Sequence, residues 1–193
     1  VEASCQVAHA FSTHRLEQEF DFYTAVDDFK SDDNAGSDMM GTIAFNSSCF
    51  YRYAVLDVDA LKANMGADAP GELNEATIRA FVEGFVRAIP TGKQNSMAAH
   101  SMPGYALAIV RDGQPVSLAN AFDRPVKPGE DAGLVDASID AIEDYFGRIG
   151  GDMGGSSAAL LSWADRPMED ANGIQRFDKL QQFFDNAVKS ALS

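Results

Sequence analysis

The residues between 74 and 113 most constrain how this chain folds. Asn74 is a good N-cap, and behind it Ile78, Phe81, Val82, Phe85, Val86 and Ile89 recur at three- and four-residue spacing. That spacing predicts a helix over residues 75–89 with a single apolar stripe. Pro90 ends it, because a proline pushes the residue before it out of the helical region. Residues 105–111 and 115–121 then flank Asp112-Gly113, the strongest short hairpin signal in the chain. A helix feeding a hairpin argues against the regular alternation of a parallel sheet and for α+β with an antiparallel sheet.

The segment joining that helix to that hairpin is dense in donors. Gly92-Lys93-Gln94 suggests a phosphate-binding P-loop, which needs a glycine at position 87 and a hydroxyl directly after the lysine. Arg87 and Gln94 stand there instead, so a triphosphate cradle is rejected. What remains is a turn whose Gly92 lets backbone approach a ligand, with Lys93, Gln94 and Asn95 offering one charge and two amides. That chemistry suits a sugar-phosphate backbone; the plainer alternative is a polar connection.

Elsewhere the chain interleaves short patterns. Ala3, Val7, Ala10 and Phe11 form a stripe that predicts an opening helix, broken at residues 12–14. Phe20, Phe22, Thr24 and Val26 alternate with Asp21, Tyr23 and Ala25, a strand with one apolar face. Residues 27–41 hold five aspartates, Lys30, Met39 and Met40, a long polar excursion between that strand and the next, expected over residues 42–57. Asp57 or Asp59 caps a short helix ending at Gly66. Further helices are expected over residues 135–149 and 175–192, and a strand over residues 157–163. The whole is expected to be one domain, residues 1–193, and its element order is compatible with a ferredoxin-like or RNA-recognition-type sheet.

Composition narrows the function classes. The 46% hydrophobic content supplies a core, and no run of about 18 apolar residues exists, so no membrane partner is expected. No secretory signal is visible, and Cys5 and Cys49 lack metal-ligand spacing, so a reduced, cytoplasmic protein without a cofactor is expected. The net charge of −14 works against nucleic-acid binding by an isolated chain, since such binding runs on cations displacing counterions.

Five segments in order carry a more specific signal: residues 6–14 (QVAHAFSTH), 22–28 (FYTAVDD), 50–54 (FYRYA), 90–95 (PTGKQN) and 118–122 (LANAF). Together they resemble the CasC family, the repeated backbone subunit of the Cascade complex of type I-E CRISPR systems. The resemblance covers the C-terminal part of that family's pattern, so the expectation is a fragment whose palm is incomplete at its N-terminus. It implies an RNA-recognition-type palm with a hairpin thumb, residues 27–41, laid over a CRISPR RNA. Members are not enzymes; they hold the guide while base pairing reads target DNA. The implied partners are CRISPR RNA, target DNA through the guide, further copies of the chain and other Cascade subunits.

The resemblance assigns RNA contact to Thr91, Gly92, Lys93, Gln94 and Asn95 and to Phe22, Tyr23, Thr24 and Val26 at the base of the thumb. Phe22 and Tyr23 point to opposite faces of a strand, so at most one can stack on a base. Arg52, between aromatics, is expected to pair with phosphate or a carboxylate. Lys30, Met39 and Met40 lie on the thumb, and Arg124 and Lys127 are candidate contacts with a neighbouring copy or DNA. Two rivals stand beside this reading. One is a metal-dependent nuclease using His9, His14, Asp27 and Asp28, although histidines five apart on a helix lie about 140° apart around it. The other is a truncated module that self-associates without binding RNA, expected as a dimer or larger.

Overall fold

The computed structural model describes residues 3–26, 37–130, 132–153 and 157–193. The chain runs out as β1 (Cys5–Val7), β2 (Phe11–Ser12) and β3 (Glu19–Val26), and returns as β4 (Ser37–Phe45), β5 (Phe50–Tyr51) and β6 (Ala54–Leu56). Each outgoing strand pairs antiparallel with a returning one: β1 with β6, β2 with β5, β3 with β4. Bonds from Ala8 N to Tyr53 O (3.0 Å) and from Thr13 N to Cys49 O (3.0 Å) carry the pairing across the breaks. The result is one long, twice-interrupted ribbon.

This corrects two expectations. The opening helix is strand instead: the backbone of residues 5–12 is taken up by the returning strands, and Val7, a member of the supposed stripe, is 63% exposed. The strand expected over residues 42–57 is split twice, at residues 52–53 and at residues 46–49, where Asn46 Nδ2 donates to Ser48 Oγ at 3.3 Å. Polar side chains bonding within their own segment compete with a ladder. Asp27, Asp28 and Lys30 of the expected thumb lie outside the described residues.

Helix α1 (Val58–Met65) starts where Asp57 Oδ1 accepts from Ala60 N (2.9 Å) and stops at Gly66, whose φ of 91° suits glycine. Helix α2 (Gly71–Arg87) begins three residues before Asn74, because Pro70 sets the chain for helix entry and its carbonyl accepts from Leu73 N (2.9 Å). A single turn, α3 (Gln94–Met97), follows, then β7 (Tyr105–Arg111), a 3-10 turn at Ala119–Phe122, α4 (Leu134–Ile149), β8 (Ser157–Ala164), β9 (Gln175–Phe177) and α5 (Leu180–Leu192).

The hairpin expected across Asp112-Gly113 does not form. Gly113 takes a φ of 113°, so the chain does turn. Pro115, however, has no N–H to offer, and Leu118 and Phe122 are drawn into a cluster with Ile142 and Phe146. Strand β7 pairs antiparallel with β8 instead, and β9 joins β8 in parallel. The segment expected to be the start of the last helix is that third strand.

The sheet β7-β8-β9 is covered on both faces, as strand alternation requires. Tyr105, Leu107, Ile109 and Leu160 pack toward α4 with Leu118, Phe122, Ile142, Phe146 and Ile174. Ala106, Ala108, Ala159, Leu161 and Trp163 pack toward Phe183, Phe184 and Ala187 of α5 and Val82 and Val86 of α2. Burying each of the large side chains Phe146, Phe183 and Phe184 stabilises the fold by roughly 1.5–3 kcal/mol. The protein is mixed α+β with mainly antiparallel pairing.

Candidate nucleic-acid interface

Three features gather the residues singled out in the sequence: the free part of the ribbon, its root, and the loop after α2. On the ribbon, β3 and β4 pair Phe20 with Ala44, Phe22 with Thr42 and Tyr23 with Gly41. Facing residues in such a pair share a side, so Phe20 and Phe22 line one face and Tyr23 the other. The apolar face is the outer one. Phe22 is 76% exposed and Phe20 61%, and Thr24 is exposed beside them, whereas Ile43 and Phe45 on the opposite side are half-buried. The Tyr23 ring lies over Gly41, where a Cβ would collide with it. The backbone of Val26, Met39 and Met40 belongs to the same ribbon, which shifts register between Ala25 and Val26.

The root is fastened by aromatic and hydroxyl contacts. Phe11, Tyr51 and Phe122 form a ring cluster with centroids 5.3–6.2 Å apart, and the Tyr51 hydroxyl accepts from Leu118 N at 3.0 Å. Thr13 Oγ1 and Ser138 Oγ share a buried hydrogen bond of 2.8 Å, and Val126 N donates to Thr13 O at 3.0 Å. Arg124 and Lys127, both exposed, flank Val126 and so stand at this root. His14 pairs with Val126 there. Its Nε2 accepts from Cys49 N (3.3 Å), which leaves Nδ1 to donate to Arg15 O (2.8 Å). Both ring nitrogens are therefore engaged with backbone. His9 is exposed in the link between β1 and β2, away from any helix. Among the described residues no group of three or more His, Cys, Asp or Glu is placed to hold a metal.

In the loop, Thr91, Gly92, Lys93 and Asn95 are exposed. Lys93 adopts the left-handed conformation, φ 60°, ahead of α3. Its carbonyl accepts from Ser96 N (3.1 Å), Met97 N (2.9 Å) and Ser96 Oγ (3.1 Å). Gln94 turns inward, donating from Nε2 to Pro90 O at 2.7 Å. A Cβ on Gly92 would meet open space, so nothing within the chain requires a glycine there. Arg52, exposed between β5 and β6, donates from a guanidinium nitrogen to Ala88 O (3.0 Å) and lies 4.7 Å above the Phe85 ring. It reaches the end of α2 and, among the described residues, pairs with no carboxylate.

The expected residues thus divide into an outward aromatic strand face, a basic pair at the ribbon root and an exposed lysine loop, the last tied to the strand by Arg52. The anchoring pair Thr13 and Ser138 was not visible in the sequence, where neither stands in an apolar pattern.

Residues 1–186 match the family described as CT1975-like protein, and the chain belongs to that Cas family. Its structure is similar to a chain of a CRISPR RNA-guided surveillance complex, at 30% sequence identity and a TM-score of 0.84, over 97% of this chain and 70% of that one. It is also similar to a chain of a CRISPR RNA-guided surveillance complex in a pre-nicking state, at 31% identity and a TM-score of 0.85, over 99% of this chain and 51% of that one. The protein is a Cascade-type Cas protein. No curated protein matches it.

Proposed function

We propose that this chain is a non-catalytic backbone subunit that binds CRISPR RNA and supports pairing between guide and target DNA. The observation that carries the reading is the outward face of the β3–β4 ribbon. Two phenylalanines more than half exposed, on a strand pair that stands apart from the sheet, are placed for stacking by something outside the chain. A base on an aromatic ring is worth roughly 1–3 kcal/mol. In this reading the ribbon is the thumb, the β7-β8-β9 body belongs to the palm, and Phe22 and Thr24 meet displaced bases. Lys93 meets a phosphate while Thr91, Gly92, Gln94 and Asn95 shape the approach. Arg124 and Lys127 extend the basic track at the root or touch a neighbouring copy. Recognition is left to base pairing, so the protein grips only shape and phosphates.

The likeness to chains of guided surveillance complexes supports this assignment, and the other subunits of such a complex are the expected partners. The experiment is to purify the assembled complex carrying wild-type chain or the Phe20→Ser, Phe22→Ser variant and sequence the RNA that comes with it. Wild type is expected to carry CRISPR RNA, and the variant several-fold less. Equal RNA with both chains would refute the role of this face.

A further inference from the structure

Arg52 joins the ribbon to the start of the lysine loop, through a hydrogen bond to Ala88 and a ring contact with Phe85. Its guanidinium donates to Ala88 O, the first carbonyl beyond the last turn of α2, and stacks on Phe85 of that turn. The C-terminal end of a helix carries partial negative charge, so a cation is held there. A planar guanidinium can bond a carbonyl with its edge while its flat face stacks on a ring; an ammonium has no flat face to stack and no rigid fork to hold both contacts in register. From Ala88 the constraint passes along the loop: Gln94 ties back to Pro90 O at 2.7 Å, and the Lys93 carbonyl is held by Ser96 and Met97. The segment between Arg52's anchor and the left-handed Lys93 is thus tied at Ala88, Pro90 and Lys93, while the Lys93 side chain is exposed and has no ion-pair partner among the described residues.

We propose that Arg52 is a positioning residue: it fixes the residue 88–98 loop to the ribbon so that the Lys93 ammonium points at an RNA phosphate, and does not itself touch RNA. The proposal rests on the functional reading above for its RNA part. The loop part stands on its own contacts.

Two measurements on the full chain test it. In hydrogen exchange, Arg52→Ala is expected to speed exchange at the amides of Ala88, Met97 and Ala98 by about fivefold to seventyfold, the range given by losing one exposed charge–ring contact and one hydrogen bond together. Arg52→Lys, which keeps the charge, is expected to behave like Arg52→Ala. In binding to a labelled single-stranded CRISPR RNA, Arg52→Ala is expected to weaken wild type but to change nothing further in a Lys93→Ala background. Unchanged exchange in Arg52→Ala would overturn the proposal, as would full rescue by Arg52→Lys. So would additive losses in the double variant with a second step down in salt dependence, the signature of a direct phosphate contact. If Lys93→Ala alone leaves RNA binding intact, the functional reading fails, and the exchange result then decides the role of Arg52 by itself.

Discussion

Glu143 is the hub of a part-buried polar network in the body of the molecule. It lies on α4 inside the layer between helix and sheet, and Arg176 of β9 grips it bidentately at 3.0 and 2.9 Å. Their side chains are 11% and 10% exposed. Arg176 also donates to Ser162 of β8 at 3.0 Å, and the Tyr105 hydroxyl of β7 donates to Glu143 Oε1. The carboxylate thus joins β7 and β9 to the helix above them, and Arg176 extends the network to β8. Removing one member of a buried pair leaves the other charge stranded, so Glu143→Ala is expected to destabilise by about 3–5 kcal/mol in urea unfolding. Burial, and then the bond to Glu143, raise the Tyr105 hydroxyl above the ordinary phenol range. A raised group contributes stability that is whole below its unfolded value, about pH 10, and lost as pH climbs toward its folded value. Stability is therefore expected to fall above about pH 10, and Tyr105→Phe should flatten that alkaline limb of the denaturation profile.

At the scale of elements, legibility followed the source of each element's stability. Helix α4 and strand β8 were readable because their own side chains make the core: Ile139, Ile142 and Phe146 lie on a buried stripe. The short strands β1 and β2 were not, because long-range pairing with β5 and β6 holds them and a stripe of four residues mimics a helix. The Asp112-Gly113 turn was legible, but its partner strand was not, because Leu118 and Phe122 gain more by burial against α4 than by pairing. Of the site, the division of Phe22 from Tyr23 followed from strand alternation, and Lys93 from its loop. That Arg52 would turn to the end of α2 depends on a contact 36 residues away. The two aromatic classes should respond differently to substitution. Phe146→Ala is expected to cost about 3–5 kcal/mol, and Phe22→Ser less than about 0.5 kcal/mol. Thermal unfolding of both variants checks the contrast, and a large loss from Phe22→Ser would show that the outward face serves folding.

For the whole molecule, charge sets the terms of any contact with nucleic acid. A chain with a net charge of −14 repels phosphate at long range, so under the proposed function binding would have to draw on a few cations placed locally, and the reading assigns that part to Lys93 in its loop and to Arg124 and Lys127 at the ribbon root. Binding by the isolated chain is accordingly expected to be weak and to vanish with modest added salt, strengthening when neighbouring copies supply further contacts. Each phosphate neutralised on a single strand adds about 0.7 to the slope of log affinity against log salt. The most direct test is that slope for CRISPR RNA binding, wild type against Lys93→Ala. The account predicts weaker binding and a slope reduced by about 0.7 in the variant; an unchanged slope and affinity would contradict it.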